Sequence, residues 1–486
     1  MASKINNNEL KSIGFYELAV FKQAGLLAKN LIKQKRYEKE EILDLYRNLV
    51  EHPDKYLDDE TFGDIARLVK EKQPLRTTNK KQQEHFHELK PTPENYRVYG
   101  AEQIEQGALD QMNTAMKLPV AEAGALMPDA HHGYGLPIGG VLATSQNAVI
   151  PYAVGVDIAC RMCLSVFDVD ASYLEHKHSL LKSYLLNNTH FGLEVKNLNP
   201  LPDDVFDLSE WKATPMIRHL RSKAEAQIGT SGTGNHFVEW GILEVTEQSE
   251  DLNVPPGKYL ALLSHSGSRG FGANIANHYS RLAMEKTKLP KEAQHLAWLD
   301  MNSAEGQEYW IAMNLAGEYA SANHHQIHRK LAKALGEKPI VMVENHHNFA
   351  WKETLADGTP VIVHRKGATP AGKGVLGIIP GSSAQPGFVV RGKGNPVSIN
   401  SASHGAGRLM SRSKALKELD KTEVKQLLAD KGVTMIGGDL DEAPMVYKDI
   451  HGVIAAQADL VDVLAKFTPK LVRMADPDKR KKSRED

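Results

Sequence analysis

Apolar positions recur every three to four residues over FYELAVFKQAGLLAKNLIKQ (15–34) and EILDLYRNLV (41–50), the spacing of an amphipathic helix. GDIARLVKEK (63–72) carries the same pattern over a shorter length and predicts a third helix. Residues 73–95 have spaced prolines, many polar side chains and little period, so they are predicted as a linker. Residues 1–90 are therefore expected to form a helical appendage with its linker. Residues 91–476 are expected to form the main domain, and 477–486 a basic, disordered tail.

From about residue 96 the pattern changes. AEQIEQGALDQMNTAMKL (101–118) predicts a helix, whereas 138–169 is rich in β-branched residues and glycine and predicts strands joined by tight turns. Further strands are expected at 258–265, 339–346, 359–366 and 386–392. The stretch 303–336 predicts a long helix stopped by Gly336, and a helical pair is expected at 413–430 and 448–466. Helices and strands alternate too irregularly for a repeated βαβ barrel. The expected class is α+β: a large mixed β-sheet core with surrounding helices, plus the N-terminal helical appendage.

Composition narrows the function. The chain has 486 residues with 41% hydrophobic and 24% charged content, ordinary for a folded protein and long enough for one large domain with an appendage or for two to three ordinary domains. The N-terminus lacks the apolar stretch of a signal peptide, and no run approaches the roughly 18 apolar residues of a membrane span. A cytoplasmic protein is expected, with no membrane partner. The formal net charge of −1 argues against binding along a long nucleic acid, so any such contact should be local, at an end or a short single strand.

Histidine is abundant, at 21 residues, with doublets at His131/His132, His324/His325 and His346/His347. The two cysteines, Cys160 and Cys163, lie in a run that predicts a strand, which would turn them to opposite faces. Cys160, three residues after Asp157, is a candidate thiolate ligand, and Cys163 is expected in the core. His236 follows Gly232, Gly234 and Asn235, with Glu239 nearby. His265 sits in SHSGSRG, where Arg269 offers a donor fork suited to phosphate. His347, or its neighbour His346, ends a predicted strand. For each of these, the alternative is a turn cap, core packing or a hydrogen-bonded structural histidine. His404, among small residues and near Arg408 and Arg412, suits an imidazole nucleophile towards phosphorus, although a fourth metal ligand remains open. GATPAGKG (367–374) imitates a phosphate-binding loop, but Gly374 occupies the hydroxyl position, so it is discounted.

Several blocks occur together and in order: MPDAHHGYGLPIGG (127–140), GVDIACRM (155–162), GTSGTGNHFVEW (229–240), SHSGSRG (264–270), AMNLAGEYASANHH (312–325), ENHHNFA (344–350), HRKGAT (364–369), SHGAGRLMSR (403–412) and DEAPMVYKD (441–449). Over about 96–466 the chain resembles the RtcB family of tRNA-splicing and RNA-repair ligases. That resemblance implies joining of RNA 2′,3′-cyclic phosphate or 3′-phosphate ends to 5′-hydroxyl ends, with GTP as co-substrate and two Mn2+ ions. It implies Asp157, Cys160 and His236 around one ion, and Cys160, His265 and His347 around the other. His404 would take up GMP. Asn235, Phe237, Glu239, Ser382, Gly405, Ala406, Gly407 and Tyr447 would form the nucleotide pocket, with Arg269 and Arg408 near phosphates and Asp129 and His131 behind the ligands or on the RNA side. The implied partner is RNA with such ends, tRNA among them; a protein activator is left open. Two rival functions also stay open: a metal-dependent RNA-end phosphoesterase without ligation, and a non-catalytic RNA-end binding protein. The chain departs from the family at Ala159 and Arg161, where glycines are usual, and at Met474-Ala475, where a terminal Lys-Gly is usual.

Overall fold

The computed structural model describes residues 5, 9–10, 13, 15, 18–34, 36–72, 86–197, 199 and 201–477. The chain divides into two compact units, Met1–His85 and Phe86–Asp486. Most of the expected linker (73–85) and of the expected basic tail (478–486) lies outside the described residues.

In the first unit, helices α1 (Leu18–Lys33), α2 (Lys39–Glu51) and α3 (Gly63–Lys72) follow the apolar period. Their stripes bury Val20, Ala24 and Leu31 with Ile42, Tyr46, Ile65 and Val69 around one small core. The buried Tyr46 hydroxyl donates to the Ala24 carbonyl at 2.7 Å, which satisfies the only polar atom of that ring.

The second unit is a mixed α+β fold around a large, nearly closed sheet. Its leading strands are β1 (Ala121–His131), β2 (Ile138–Ser145), β3 (Arg161–Asp170), β4 (Phe237–Val245) and β5 (Gly257–Ser266). They are followed by β6 (Pro339–His346), β7 (Asn348–Thr354), β8 (Pro360–Lys366), β9 (Leu376–Ile379), β10 (Gly387–Gly392), β11 (Ser401–Ser403) and β12 (Val461–Met474). The main sheet runs β9-β10-β12-β4-β5-β3-β6, and a second sheet carries β1-β2-β8-β7. Helices α4 (Gln106–Met116), α5 (Pro215–Gln227), α6 (Arg269–Lys286) and the long α7 (Ala304–Leu335) surround them. Ser303 caps α7 by accepting from the Gly306 N–H, and Gly336 ends it at φ 83°.

β3 is antiparallel to both β5 and β6, and β4 is antiparallel to β5. The starts of β3 and β4 and the ends of β5 and β6 therefore meet at one edge. Register makes this concrete: Met162 lies opposite both His265 and Asn345, and Phe237 lies opposite His265.

Four local expectations need correction. Residues 461–466 are strand, not helix; only α10 (Ile450–Ala455) is helical there. Ala465 and Phe467 point into one core with the exposed Lys466 between them, so the true period there is two. β1 and β4 were not expected as strands, because small residues in AEAGALMPDAH and burial on both faces of FVEWGILEV hide alternation. Within 138–169, Pro151–Val154 forms a short helical turn. The single helix expected at 413–430 is two helices, α8 (Arg412–Glu418) and α9 (Lys421–Asp430), parted where Asp420 caps the second.

Gly241 in β4 lies flat against β12, and a Cβ there would overlap the Phe467 ring and the Thr468 carbonyl. Gly241→Ala is expected to lower unfolding free energy by about 3 kcal/mol, the upper range for overpacking a tight contact, measurable by urea denaturation.

Candidate active site

Four loops and strand ends converge where the β3, β4, β5 and β6 edges meet. Cys160 leaves a tight turn in which its own N–H donates to the Asp157 carbonyl at 3.2 Å. Asn348 holds that turn from outside: its Nδ2 donates to the Asp157 carbonyl at 3.2 Å, while its Oδ1 accepts from Gly367 N at 2.8 Å. Cys160 Sγ lies 3.1 Å from His265 Nε2 and 3.5 Å from His236 Nε2. His236 Nε2 is 2.9 Å from Asp157 Oδ2, and His347 Nε2 is 3.3 Å from His265 Nε2.

These distances form two overlapping donor sets that share Cys160: Asp157–Cys160–His236 and Cys160–His265–His347, each with its ligand atoms within 4.8 Å of one another. Tautomers favour a cation at the second set. The Nδ1–H of His265 donates to the Asn235 carbonyl at 3.0 Å, so the Nε2 lone pair of the neutral ring points to Cys160 and His347. Burial holds His265 neutral, down at about 3. Burial and the Asp157 charge push the Cys160 thiol well up, an arrangement that a bound dication would offset. Thiolate, imidazole and one carboxylate fit a borderline divalent ion better than Mg2+, which prefers oxygen.

His404 stands beside this cluster, its ring centroid 4.8 Å from that of His347. Its Nδ1–H donates to Asp129 Oδ2 at 2.7 Å, and the same oxygen accepts from the His404 and Gly405 backbone N–H groups. Nδ1 is thus committed as a donor, which makes Nε2 the lone-pair nitrogen of the neutral ring. Burial opposes ionisation of Asp129, but the hydrogen bond from His404 and the nearby charge of Lys448 outweigh it and hold the carboxyl below the usual range. Lys448 Nζ also ties β1 on either side of Asp129, donating to the carbonyls of Pro128 (3.0 Å) and Ala130 (2.8 Å).

A cavity of about 920 Å³ joins His404 to both donor sets. Asn235, Phe237, Glu239, Ser382 and the run Gly405–Arg408 all line it. Glu239 lies buried, and desolvation pushes it up to about 8. Also lining the cavity, Arg408 lies over the Tyr447 ring at 5.5 Å, and Tyr447, Arg408 and Arg412 all converge on Glu442.

The family description "tRNA-splicing ligase RtcB" matches residues 111–212 and 204–475. The RNA-splicing ligase RtcB of Escherichia coli (strain K12) is 32% identical over 391 residues, covering 74% of this chain and 92% of that protein. The tRNA-splicing ligase RtcB of Nanoarchaeum equitans is 30% identical over 456 residues, covering 77% of this chain and 94% of that protein. The chain belongs to the RtcB family. It is an enzyme of that ligase family, and among the described residues no helix is long and apolar enough to cross a membrane.

Within this RtcB fold, the structure gives the other singled-out residues definite places. Arg269 is buried, its guanidinium donating to Thr230 Oγ1 at 3.1 Å and the Gly192 carbonyl at 2.5 Å. Arg161 turns away from the cavity and pairs with Glu344 at 3.0 Å. Of the His346/His347 pair, His347 faces the cluster while His346 stacks on Trp351 at 5.1 Å. The discounted GATPAGKG run lies partly in a short strand, Ala368–Pro370, paired with β11, and a strand rather than a helix comes next. Glu442, Asn348 and Lys448 were not singled out; a lone Glu, Asn or Lys inside a recognised block has no spacing signal of its own. Met474 lines the cavity beside Val472.

Two close approaches explain the glycines. A Cβ on Gly232 would overlap the His236 ring, and one on Gly267 would overlap the Asp157 carboxylate. Gly232 thus makes room for a candidate ligand rather than for a substrate. Gly267→Ala is expected to displace Asp157 and weaken divalent-ion uptake about tenfold or more, read by equilibrium dialysis. Ala159 holds φ 56°, in the left-handed region. Ala159→Gly is expected to raise stability by about 1 kcal/mol in thermal melts without changing ion uptake.

Proposed function

We propose that the protein is a GTP- and Mn2+-dependent RNA ligase that joins 2′,3′-cyclic phosphate or 3′-phosphate ends to 5′-hydroxyl ends through a guanylylated His404. The observation that carries this reading is the commitment of His404 Nδ1 to Asp129, which leaves Nε2 as a lone-pair nitrogen in a cavity shared with the Cys160 cluster. Asp157, Cys160 and His236 would hold one ion and Cys160, His265 and His347 the other. Bound there, Mn2+ would withdraw charge from phosphate oxygens.

His404 Nε2 attacks the α-phosphorus of GTP, forming an N–P bond as the bond to pyrophosphate breaks. Asp129 keeps the ring oriented and offsets the positive charge that the imidazole acquires. An oxygen of the RNA 3′-phosphate then displaces the imidazole, taking GMP and returning the electron pair to Nε2. The RNA 5′-hydroxyl attacks the activated 3′-phosphorus, GMP leaves, and the hydroxyl proton passes to a base or to solvent. A cyclic phosphate first adds one water, which breaks its P–O2′ bond. Glu239, once ionised, suits the adjacent N–H donors of guanine, whose hydrogen bonds would offset its desolvation, and Phe237, Ser382, Tyr447 and the Gly405–Gly407 backbone line the same space.

Incubation with Mn2+ and α-labelled GTP is expected to leave an acid-labile, alkali-stable label on the protein. His404→Ala should abolish it, and Asp129→Asn should slow it by about a hundredfold while leaving ion uptake unchanged. A label that survives loss of His404 would overturn the nucleophile. End joining is then read with RNA strands bearing 3′-phosphate and 5′-hydroxyl termini.

A further inference from the structure

The reverse face of β5 carries a second cluster of chemistry-bearing residues. Ser264 and Ser266 alternate with His265 along the strand, so they face α7 while His265 faces the cavity. α7 presents His324 and His328, four residues apart and therefore on one helix face, together with Asn323. Asn323, His324, His328, Ser264 and Ser165 are all essentially fully buried.

The hydrogen bonds among them run in one direction. His324 Nε2 lies 3.1 Å from the Ser266 carbonyl, which can only accept, so Nε2 carries the proton and Nδ1 is the acceptor. The Ser264 hydroxyl lies 2.7 Å from that Nδ1 and donates to it. Its proton spent, Ser264 Oγ accepts from His328 Nε2 at 2.8 Å. His328 Nδ1 is then the acceptor for the Ser165 hydroxyl at 2.7 Å. Burial keeps both rings neutral, holding His328 at about 3 and His324 well below its ordinary value, consistent with one proton per ring. At the other end, the Ser266 carbonyl also accepts from the Cys160 thiol at 3.4 Å.

Asn323 extends the hold to the neighbouring loops. Its Oδ1 accepts from the Gly229 and Thr230 N–H groups at 2.7 and 3.2 Å, and its Nδ2 donates to the Thr230 and Gly267 carbonyls at 3.1 and 3.4 Å. Apolar packing would fill this space without the desolvation cost of so many polar groups. What hydrogen bonds add is direction, which fixes β5 along its own axis against the helix.

We propose that Ser165, His328, Ser264 and His324 form a directed hydrogen-bond relay that positions His265 and Cys160 for cation binding from behind the sheet, with His324 as the principal positioning residue. The inference rests on the reading of the Asp157–Cys160–His236–His265–His347 cluster as a metal centre. Cys163, His324 and His328 also have ligand atoms within 4.8 Å of one another, the donor set of a small metal site. All four ring nitrogens of the two histidines are already engaged, which assigns the cluster to the relay.

The test uses the full-length protein, with Mn2+ uptake by equilibrium dialysis and the thiolate-to-metal charge-transfer band of the Co2+-loaded form. His324→Leu is expected to weaken Mn2+ binding about tenfold or more and to shift the cobalt band, with unchanged circular dichroism. His324→Gln places an amide N–H near the Nε2 position and is expected to recover most of the affinity, a rescue that a purely space-filling role would not produce. Ser264→Ala breaks the middle link with a small residue and is expected to lose affinity as His324→Leu does. Wild-type affinity in both His324→Leu and Ser264→Ala, or no rescue by His324→Gln, overturns the relay. An additional metal equivalent in the wild type that disappears in Cys163→Ser overturns it in favour of a metal site. A wild type that takes up no Mn2+ fails at the metal centre itself, an outcome distinct from variants that bind like wild type.

Discussion

The antiparallel pairing of β3 with both β5 and β6 is the constraint on which the site depends. Because neighbouring strands run in opposite senses, the start of one lies beside the end of the next. Cys160 precedes β3, His236 precedes β4, His265 is near the end of β5 and His347 follows β6, so sheet hydrogen bonding alone brings four side chains to one edge. A one-residue slip of β5 would turn His265 towards α7 and Ser264 and Ser266 towards the cavity. The buried contacts with α7 work against that slip.

Around this edge the polar groups divide into two tasks. Those facing the cavity keep lone pairs available: His265 by giving its Nδ1 proton to Asn235, and His404 by giving its own to Asp129. Those behind the sheet have no ring nitrogen to spare, since His328 and His324 engage both of theirs with Ser165, Ser264 and the Ser266 carbonyl. The same residue type therefore serves opposite ends on the two faces of one strand. Partner geometry, not residue identity, separates them.

Much of the site could be seen in the chain before folding, because its chemistry is local. Cys160 follows Asp157 by three residues, His236 follows a glycine-rich turn, and His404 lies among small residues; such blocks carry their own signature. The long helix ending at Gly336 was legible for the same reason, as a sustained period with a stop signal. β1 and β4 were not, because strands buried on both faces lose the alternation that marks an exposed edge. β12 was mistaken in its first part, where Val461, Leu464 and Ala465 can satisfy either a helical or an extended spacing until the sheet selects one.

Sequence by itself determined the residue types, the family and the blocks from which the site is built, since those depend on spacings of a few residues. Which member of a pair faces the cluster was decided only in three dimensions: His347 rather than His346, and the cavity for Cys160 but the reverse face for Cys163. The reason is physical. A side chain's direction follows from strand parity and from partners more than a hundred residues away, as with Asp129 and His404, and local spacing contains neither.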